Sequence, residues 1–247
     1  WGRAQETYGE DPHHVGEMGA SLTRGAQRHV MATLKHFALN SMENARFGVD
    51  VKVDERALHE VYLPHFKRII YEGVACVMTA YNSVNGEWCS QNNILLADIL
   101  RHEWGFAGFV ISDWIFGVHD GVQSLHAGLD VEMPYRMIRN APIVAALSDG
   151  LITEEIVASA VTRTLTTMLK FGVGKLPVSD RSVLLCSEHV LLSQEVAEKS
   201  MVLLKNDSVD GASLLPLNLK KSSKIALVGR LAGVRNIGDG GSSDVMA

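Results

Sequence analysis

The amino-acid sequence predicts an α/β fold: part of a (β/α)8 TIM-like barrel, followed by a linker and the start of an α/β sandwich domain. Three observations support this prediction. Short apolar segments alternate with amphipathic segments of helical period between residues 32 and 171. The apolar segments lack the alternation of a half-buried strand, which is typical of parallel strands that helices cover on both faces. Polar residues follow these segments directly, at the edge where barrels carry their active sites.

The predicted strands and helices follow one another in this part of the chain. The strands cover residues 32–37, 51–53, 74–80, 108–111 and 129–133. The helices cover residues 54–70, 93–103, 121–127 and 153–171. Asp54 and Thr153 are residue types that cap helix N-termini, whereas Gly105 ends the second helix and Pro134 closes the last strand.

Residues 172–186 are the predicted linker, because glycines end the preceding helix there and a proline with polar residues follows. A helix over residues 187–204 and a strand over residues 224–229 then open a second domain that the chain does not finish. Residues 1–171 are accordingly assigned to the C-terminal part of the barrel domain, and residues 187–247 to the beginning of the sandwich. Since the chain starts without an initiator methionine, we expect it to be a piece of a longer protein. The remainder of that protein is then its expected partner. The cellular compartment stays open.

Composition and charge exclude several classes of protein. The 247 residues are 47% hydrophobic and 21% charged, which excludes a disordered chain. With 23 basic against 28 acidic residues and no basic stripe, neither nucleic acid nor an anionic membrane is a predicted partner. No apolar run reaches the ~18 residues of a membrane span. The 3 cysteines lack a disulfide framework and the 10 histidines lack ligand spacing, so neither a metal nor another cofactor is predicted.

Polar side chains at the predicted strand ends are the candidate functional residues: Lys35-His36, Tyr81-Asn82, Asp113-Trp114 and Glu132. The carboxyl ends of barrel strands meet at one face, so we expect these side chains to surround one pocket. Asp113 is the strongest candidate, because a carboxylate after a buried strand is costly unless it is hydrogen-bonded or functional. The alternative is that Asp113 caps the following loop, and that Lys35 and His36 are a surface charge and a core imidazole. Arg3 and Arg46 are weaker candidates, since most arginines are solvated.

Longer stretches of the chain carry recognisable motifs. They include Gly2-Arg3, Glu6-Thr7-Tyr8-Gly9-Glu10-Asp11-Pro12, Lys35-His36-Phe37-Ala38-Leu39-Asn40, Met78-Thr79-Ala80-Tyr81-Asn82, Ser112-Asp113-Trp114 and Ala127-Gly128-Leu129-Asp130. With these motifs in this order, the sequence resembles glycoside hydrolase family 3, the β-glucosidase group, over nearly its whole length. The resemblance implies a retaining, exo-acting β-glycosidase that takes β-glucosides or short β-linked oligosaccharides.

The resemblance also implies roles for individual residues. Asp113 would be the catalytic nucleophile, and Met78 and Trp114 would form apolar walls of the pocket. The side chains that would bind the sugar hydroxyls in the −1 subsite are Arg3, Lys35, His36, Arg46 and Tyr81. Arginine and lysine suit this task because they donate hydrogen bonds and carry no acceptor. We also expect these cations to hold the pKa of Asp113 low, so that it stays an ionised nucleophile.

Several alternatives stay open at this point. The family's general acid/base is implied to be a glutamate in the second domain, beyond this chain, so the main alternative is a non-catalytic processed fragment or a sugar-binding relic. A β-xylosidase is the substrate variant. The N-acetylglucosaminidase branch is disfavoured, because residues 37–41 replace its Asp/His loop. A nucleotide-binding oxidoreductase is the weakest alternative, since the glycine-rich residues 229–241 lack G-x-G-x-x-G in register after a strand.

Overall fold

A computed structural model describes residues 2–174, 180–218, 224–234 and 241–243. The chain divides into two compact units, Trp1–Leu176 and Pro177–Ala247. Within the described ranges, no helix is long and apolar enough to cross a membrane. The assignment of residues 1–171, 172–186 and 187–247 to a barrel domain, a linker and a sandwich domain stays a prediction.

Strands and helices alternate through the first unit, which confirms the predicted α/β class. Its strands are β1 (Thr33–Phe37), β2 (Asp50–Val51), β3 (Cys76–Thr79), β4 (Ser83–Val84), β5 (Glu87–Trp88) and β6 (Phe109–Ile111). Its α-helices are α1 (Pro12–Ala26), α2 (Glu55–Ala57), α3 (Pro64–Tyr71), α4 (Gly121–Ala127), α5 (Ala141–Ser148) and α6 (Glu154–Lys170). Two π-helices cover Leu58–Tyr62 and Ile94–Glu103, and short 3-10 turns cover Ala4–Glu6, Glu43–Ala45 and Cys89–Gln91.

A parallel sheet carries the predicted strand ends. Its strands lie in the order β1-β3-β6, and Val131 extends it beyond β6 through a bridge to Ile111. The pairing of β1 with β3 shifts register between Leu34 and Phe37, so the end of β1 departs from a regular ladder. Because the strands run in the same direction, their carboxyl ends lie at one edge, where the candidate residues follow.

The hydrophobic core lies against this sheet. Its fully buried side chains include Phe37, Leu63, Val77, Leu95, Leu96, Leu100, Val110 and Leu129. The ring of Phe37 meets Phe66 and Trp104 edge-on, at centroid distances of 5.2 and 5.9 Å. Burying one such aromatic side chain stabilises the fold by ~1.5–3 kcal/mol. Phe37 thereby anchors the end of β1, directly after His36.

A buried ion cluster ties α6 to the strand β6. The carboxylate of Asp130, whose side chain is 0% exposed, lies 2.7 Å from Arg101 Nη2 and 2.7 Å from Arg163 Nη2. It also accepts the backbone amide hydrogen bond of Val110, at 2.7 Å. Asp130 therefore has partners on both carboxylate oxygens, and it holds a helix and a strand in one arrangement.

The predicted helix over residues 54–70 is divided into three pieces. Asp54 caps its start, since its carboxylate accepts an amide hydrogen bond from the first turn. The π-helix Leu58–Tyr62 then follows α2, and Leu63 separates it from α3. Pro64 explains this break, because it has no N–H to donate to the carbonyl of the preceding turn and its ring displaces that turn.

The second unit corrects the predicted strand over residues 224–229. Residues 224–228 form no strand, and the side chains of Leu227 and Val228 are 78% and 89% exposed. A strand needs a partner for its backbone groups, and none of the described residues pairs with this segment. The predicted helix over residues 187–204 is observed as α7 (Ser187–Ser200). A short hairpin of β7 (Ser208–Val209) and β8 (Ala212–Ser213) follows it.

Several elements of the first unit were not predicted, among them α1, α5 and the β4–β5 hairpin. The first and the last of these have a clear sequence signal. Asp11 caps α1, where its side chain accepts amide hydrogen bonds from the first turn and Pro12 occupies the first helical position. Asn85 and Gly86 turn the β4–β5 hairpin with φ values of 52° and 99°. The Asp-Pro and Asn-Gly dipeptides are typical of a helix start and a tight hairpin, respectively.

Candidate active site

Asp113 lies at the centre of the candidate site, two residues after the end of β6. Its exposure is 6%, and its Oδ1 accepts a 2.7 Å hydrogen bond from the backbone amide of Trp114. Its Oδ2 is also buried, and it has no hydrogen-bond partner in the part of the chain that the structure describes. Leaving a buried carboxylate oxygen without a hydrogen bond is unfavourable. Asp113 therefore keeps one oxygen available for chemistry.

The turn after Asp113 folds back against its backbone. A Cβ atom at Gly117 would lie 2.5 Å from the carbonyl oxygen of Asp113 and 2.9 Å from its amide nitrogen. The carbonyl of Met133 accepts the amide hydrogen bond of Ile115, at 3.0 Å. The amide of Met133 in turn donates to Ser112 Oγ, at 2.9 Å. These contacts fix the backbone of Asp113, and only glycine fits at position 117.

His36 faces Asp113 from the irregular end of β1. Its Nε2 lies 3.6 Å from Asp113 Oδ2 and 2.9 Å from Arg3 Nη1. Because a guanidinium can only donate, Nε2 accepts this hydrogen bond and the imidazole is neutral. Burial, reinforced by the charges of Arg3 and Lys35, lowers the pKa of His36 to about 3. The contact with Asp113 is therefore one between a neutral ring and a carboxyl group, and not an ion pair.

Arg3 and Lys35 share a carboxylate that the sequence analysis did not select, Glu6. Arg3 donates from Nε to Glu6 Oε1 at 2.7 Å and from Nη2 to Glu6 Oε2 at 2.6 Å. Lys35 Nζ lies 3.8 Å from Glu6 Oε2. The Arg3 hydrogen bonds lower the pKa of Glu6. The signal for this pair was present in the sequence, since an acid three residues after an arginine lies within its reach on a helical turn.

Tyr81 and Arg46 lie on the other side of Asp113. The Tyr81 hydroxyl donates to the carbonyl of Trp114, at 2.7 Å. The Arg46 guanidinium lies over the ring of Tyr81, 4.9 Å from its centroid, and it is hydrogen-bonded to Glu43. Burial raises the pKa of Tyr81 to about 12, with a further contribution from the charge of Asp113. Tyr81 is therefore a neutral hydrogen-bond donor at ordinary pH.

The pKa of Asp113 corrects one expectation of the sequence analysis. Burial raises it above the ordinary value, although Arg3, Lys35 and the Tyr81 hydroxyl act in the opposite direction. Desolvation of the buried carboxylate outweighs these contributions and that of the backbone hydrogen bond from Trp114. The prediction that cations would hold this pKa low is therefore wrong.

Met78 and Trp114 add apolar surface at the same edge of the sheet. Met78 belongs to β3, where it pairs with Ile111 of β6 and is half-buried. Trp114 follows Asp113 and is 43% exposed. Phe47 packs edge-on against Tyr81, with the ring centroids 4.7 Å apart. Both predicted wall residues thus stand next to the strand ends that carry the polar groups.

Two other residues at predicted strand ends have structural partners. Asn82 is fully buried and donates to the carbonyl of Ala38 at 3.2 Å, so it supports the loop after β1. Glu132 accepts the amide hydrogen bonds of Ile138 and Arg139 at 2.8 and 2.9 Å. Both oxygens of Glu132 accept hydrogen bonds, whereas one oxygen of Asp113 has no hydrogen-bond partner among the residues that the structure describes.

The site therefore combines one buried carboxylate with a set of hydrogen-bond donors around it. In the described ranges, no three His, Cys, Asp or Glu side chains come together as metal ligands do. The donors come from arginine, lysine and tyrosine side chains, which suit a ligand rich in hydroxyl groups. Such a carboxylate can act as a nucleophile or as an acid or base toward that ligand.

Comparisons with known proteins agree on one family. Residues 1–167 match the model of the "Glycosyl hydrolase family 3 N terminal domain". The thermostable beta-glucosidase B of Acetivibrio thermocellus is 40% identical over 247 residues, which cover 99% of this chain and 31% of that protein. The exo-alpha-(1->6)-L-arabinopyranosidase of Bifidobacterium longum is 36% identical over 256 residues, covering 99% of this chain and 32% of that protein.

Solved structures show the same relationship at the level of the fold. The beta-glucosidase of Kluyveromyces marxianus, solved in complex with glucose, matches with a TM-score of 0.75 and 37% identity. The match covers 83% of this chain and 26% of that one. The chain thus spans about a third or less of the length of these relatives.

Proposed function

Because this chain belongs to glycosyl hydrolase family 3, we propose that its site hydrolyses terminal, non-reducing β-D-glucosyl residues by a retaining double displacement. Asp113 is the proposed nucleophile. The observation that carries the proposal is its buried Oδ2, which lacks a hydrogen bond within the described ranges and lies 3.6 Å from His36 Nε2. The beta-glucosidases among its relatives support glucosides as the substrate class.

The first proposed step forms a covalent glycosyl-enzyme. Asp113 Oδ2 attacks the anomeric carbon, the bond from that carbon to the leaving oxygen breaks, and a general acid protonates the leaving group. Water then attacks the same carbon after losing a proton to the same group, which releases the sugar and restores the carboxylate. The two carboxyl groups of a retaining glycosidase lie ~5–5.5 Å apart. We place the second of them, the general acid/base, outside this chain.

The donors around Asp113 are proposed to bind the glycone in the −1 subsite. These residues are Arg3, Lys35, His36, Arg46 and Tyr81. The guanidinium and ammonium groups supply donors for the sugar hydroxyls, and the neutral rings of His36 and Tyr81 add hydrogen bonds without further charge. Met78 and Trp114 would cover the apolar faces of the sugar ring.

A mechanism-based inactivator tests the assignment of Asp113. The full-length gene product is treated with a 2-deoxy-2-fluoro-β-glucoside that carries an activated leaving group, and the peptides are analysed by mass spectrometry. The labelled peptide is expected to carry the sugar on Asp113. A label on another carboxylate would overturn the assignment. If no peptide is labelled and no β-glucoside is turned over, the result would favour a non-catalytic product.

A pentopyranoside is a second candidate substrate, because one relative is named an exo-alpha-(1->6)-L-arabinopyranosidase. A pentopyranose lacks the hydroxymethyl group of glucose, so the two classes differ at one side of the pocket. Comparing kcat/KM for p-nitrophenyl β-D-glucoside, β-D-xyloside and α-L-arabinopyranoside decides between them. We expect the glucoside to be preferred, and a preference for either pentoside would replace the proposed substrate.

A further inference from the structure

Glu6 contacts the sugar-binding cations without facing Asp113 itself. Its carboxylate accepts two hydrogen bonds from Arg3, at 2.7 and 2.6 Å, in a side-by-side arrangement. The ammonium group of Lys35 lies 3.8 Å from the same carboxylate. One anion therefore connects two cations from different parts of the chain: Arg3, which directly precedes the turn Ala4–Glu6, and Lys35 on strand β1.

A continuous line of contacts joins Glu6 to the nucleophile. The remaining Nη1 of Arg3 lies 2.9 Å from His36 Nε2, which in turn lies 3.6 Å from Asp113 Oδ2. The exposed fraction of the side chains falls along this line, from 25% for Glu6 and 15% for Arg3 to 12% for His36 and 9% for Asp113. Glu6 thus stands at the outer end of a row of contacts that leads to Asp113.

We propose that Glu6 is a positioning residue, which orients Arg3 and holds Lys35 so that their remaining donors face the glycone. The inference rests on the function proposed above. A guanidinium carries its five N–H donors in one rigid plane, so binding two of them to a carboxylate fixes the direction of the others. Without this anion, Arg3 and Lys35 would repel each other and lose their common orientation.

The charge of Glu6 has a second consequence at Asp113. The charged and titratable groups around that carboxylate are Arg3, Lys35, His36, Tyr81 and, farther out, the Arg46–Glu43 pair. Replacing Glu6 by a neutral residue removes one negative charge beside Arg3 and Lys35. The ionised form of Asp113 is then favoured, and its pKa falls.

The test compares Glu6→Gln with Glu17→Gln in the full-length gene product. Glu17 makes the same two-point hydrogen bond to an arginine, Arg68, at 2.7 and 3.2 Å, but it lies on α1 outside the site. We expect Glu6→Gln to raise KM for a β-glucoside by about 10- to 100-fold with a smaller change in kcat, as misplaced binding groups do. The acidic limb of the kcat/KM profile should also move to lower pH. Glu17→Gln should change neither property.

Two further variants separate orientation from stability. Glu6→Asp keeps the charge on a shorter side chain, so KM should rise while the acidic limb of the pH profile stays in place. In a double-mutant cycle with Arg3→Met, Glu6→Gln should raise KM only slightly further, because the guanidinium that Glu6 orients is absent. The cycle is measured together with thermal unfolding, so that a misfolded variant is recognised.

The outcomes also separate this inference from the proposed function. Turnover by the wild type, its loss in Asp113→Asn and an unchanged KM in Glu6→Gln would overturn the role of Glu6 alone. Full additivity of Glu6→Gln with Arg3→Met would do the same. A wild type without β-glucosidase activity, or an active Asp113→Asn variant, would overturn both.

Discussion

At the scale of single residues, the buried carboxylate of Asp113 is unfavourable for the stability of the fold. Asp113 is buried with one oxygen lacking a hydrogen bond among the described residues, and burial raises its pKa. A carboxyl group with a raised folded-state pKa binds its proton more tightly in the folded protein than in the unfolded one. Its ionisation therefore destabilises the fold above that pKa, and this cost disappears below the unfolded-state value. The site thus retains a carboxylate that the fold alone would disfavour.

Asp113→Asn is expected to separate activity from stability. Asparagine keeps the shape but cannot attack the anomeric carbon, so kcat should fall by several orders of magnitude. The melting temperature at neutral pH should stay the same or rise, because no buried charge remains. Binding of glucose, measured by calorimetry, should largely survive. A variant with a strongly lowered melting temperature would contradict this account of Asp113.

Asp113→Ala with azide tests the same residue by the stereochemistry of the product. The smaller side chain opens space for azide, which attacks the anomeric carbon from the face that the carboxylate used. The product should be the α-glycosyl azide, identified by NMR. A β-glycosyl azide would mean that Asp113 is the acid/base and that another carboxylate is the nucleophile.

At the scale of elements, the site depends on how the segments around the sheet are tied together. The turn after β6 lies against the backbone of Asp113 at Gly117. The carboxylate of Asp130 binds Arg101 and Arg163, which joins α6 to the sheet. Both contacts are close and involve buried groups, so each is expected to respond strongly to a single substitution.

Gly117→Ala should displace Asp113, the proposed nucleophile, through steric contact alone. The added Cβ would lie 2.5 Å from the carbonyl oxygen of Asp113, so the turn must move. We expect kcat/KM to fall by about 100-fold, since small displacements of a reacting group have effects of this size. Gly48→Ala is the matched control, because no atom of the described residues lies within 4 Å of its added Cβ. Equal kinetics for the two variants would contradict the contact.

Asp130→Ala should destabilise the fold by ~3–5 kcal/mol, because it leaves two arginines without their buried anion. Arg101, whose side chain is only 12% exposed, is the more affected partner. The free energy of unfolding is measured with urea. Glu17→Ala removes an exposed two-point ion pair instead, and its effect on the free energy of unfolding should be much smaller. If the two variants lost similar amounts of unfolding free energy, burial would not explain the stabilisation by the Asp130 cluster.

At the scale of the whole molecule, two buried histidines link stability to pH. Burial lowers the pKa of His36 to about 3 and that of His65 to about 4. The unfolded chain binds protons at these residues near pH 6.5, whereas the folded protein does not. Stability is therefore fully present above pH 6.5 and decreases as the pH falls toward the two folded-state values.

This effect should be visible between pH 6.5 and 5, above the range in which carboxyl groups titrate. Each histidine contributes a slope of up to ~1.4 kcal/mol per pH unit in urea unfolding. His65→Gln should reduce the slope, because it removes one of the buried histidines at a position on α3 that lies away from the site. A slope that His65→Gln does not reduce would contradict the burial argument.

Much of the site could be predicted because its signals are local. Lys35, His36, Tyr81 and Asp113 each stand beside the end of an apolar segment, and those segments form the parallel sheet. Glu6 was missed, since its role depends on two partners, of which Lys35 is distant in sequence. The alternation of apolar and amphipathic segments does not reveal α1 or the β4–β5 hairpin. Their sequence signals are only the dipeptides Asp11-Pro12 and Asn85-Gly86.

Local sequence patterns suffice to predict the α/β class, several helix boundaries of the first unit, and the ends of β1, β3 and β6 that carry polar side chains. These properties follow from the spacing of apolar residues and from capping residues, and both act over a few positions. Only the tertiary structure decided that residues 224–228 form no strand and that burial raises the pKa of Asp113 against the surrounding cations. The physical reason is that strand pairing, desolvation and charge compensation depend on groups distant in sequence, whose contacts exist only once the chain has folded.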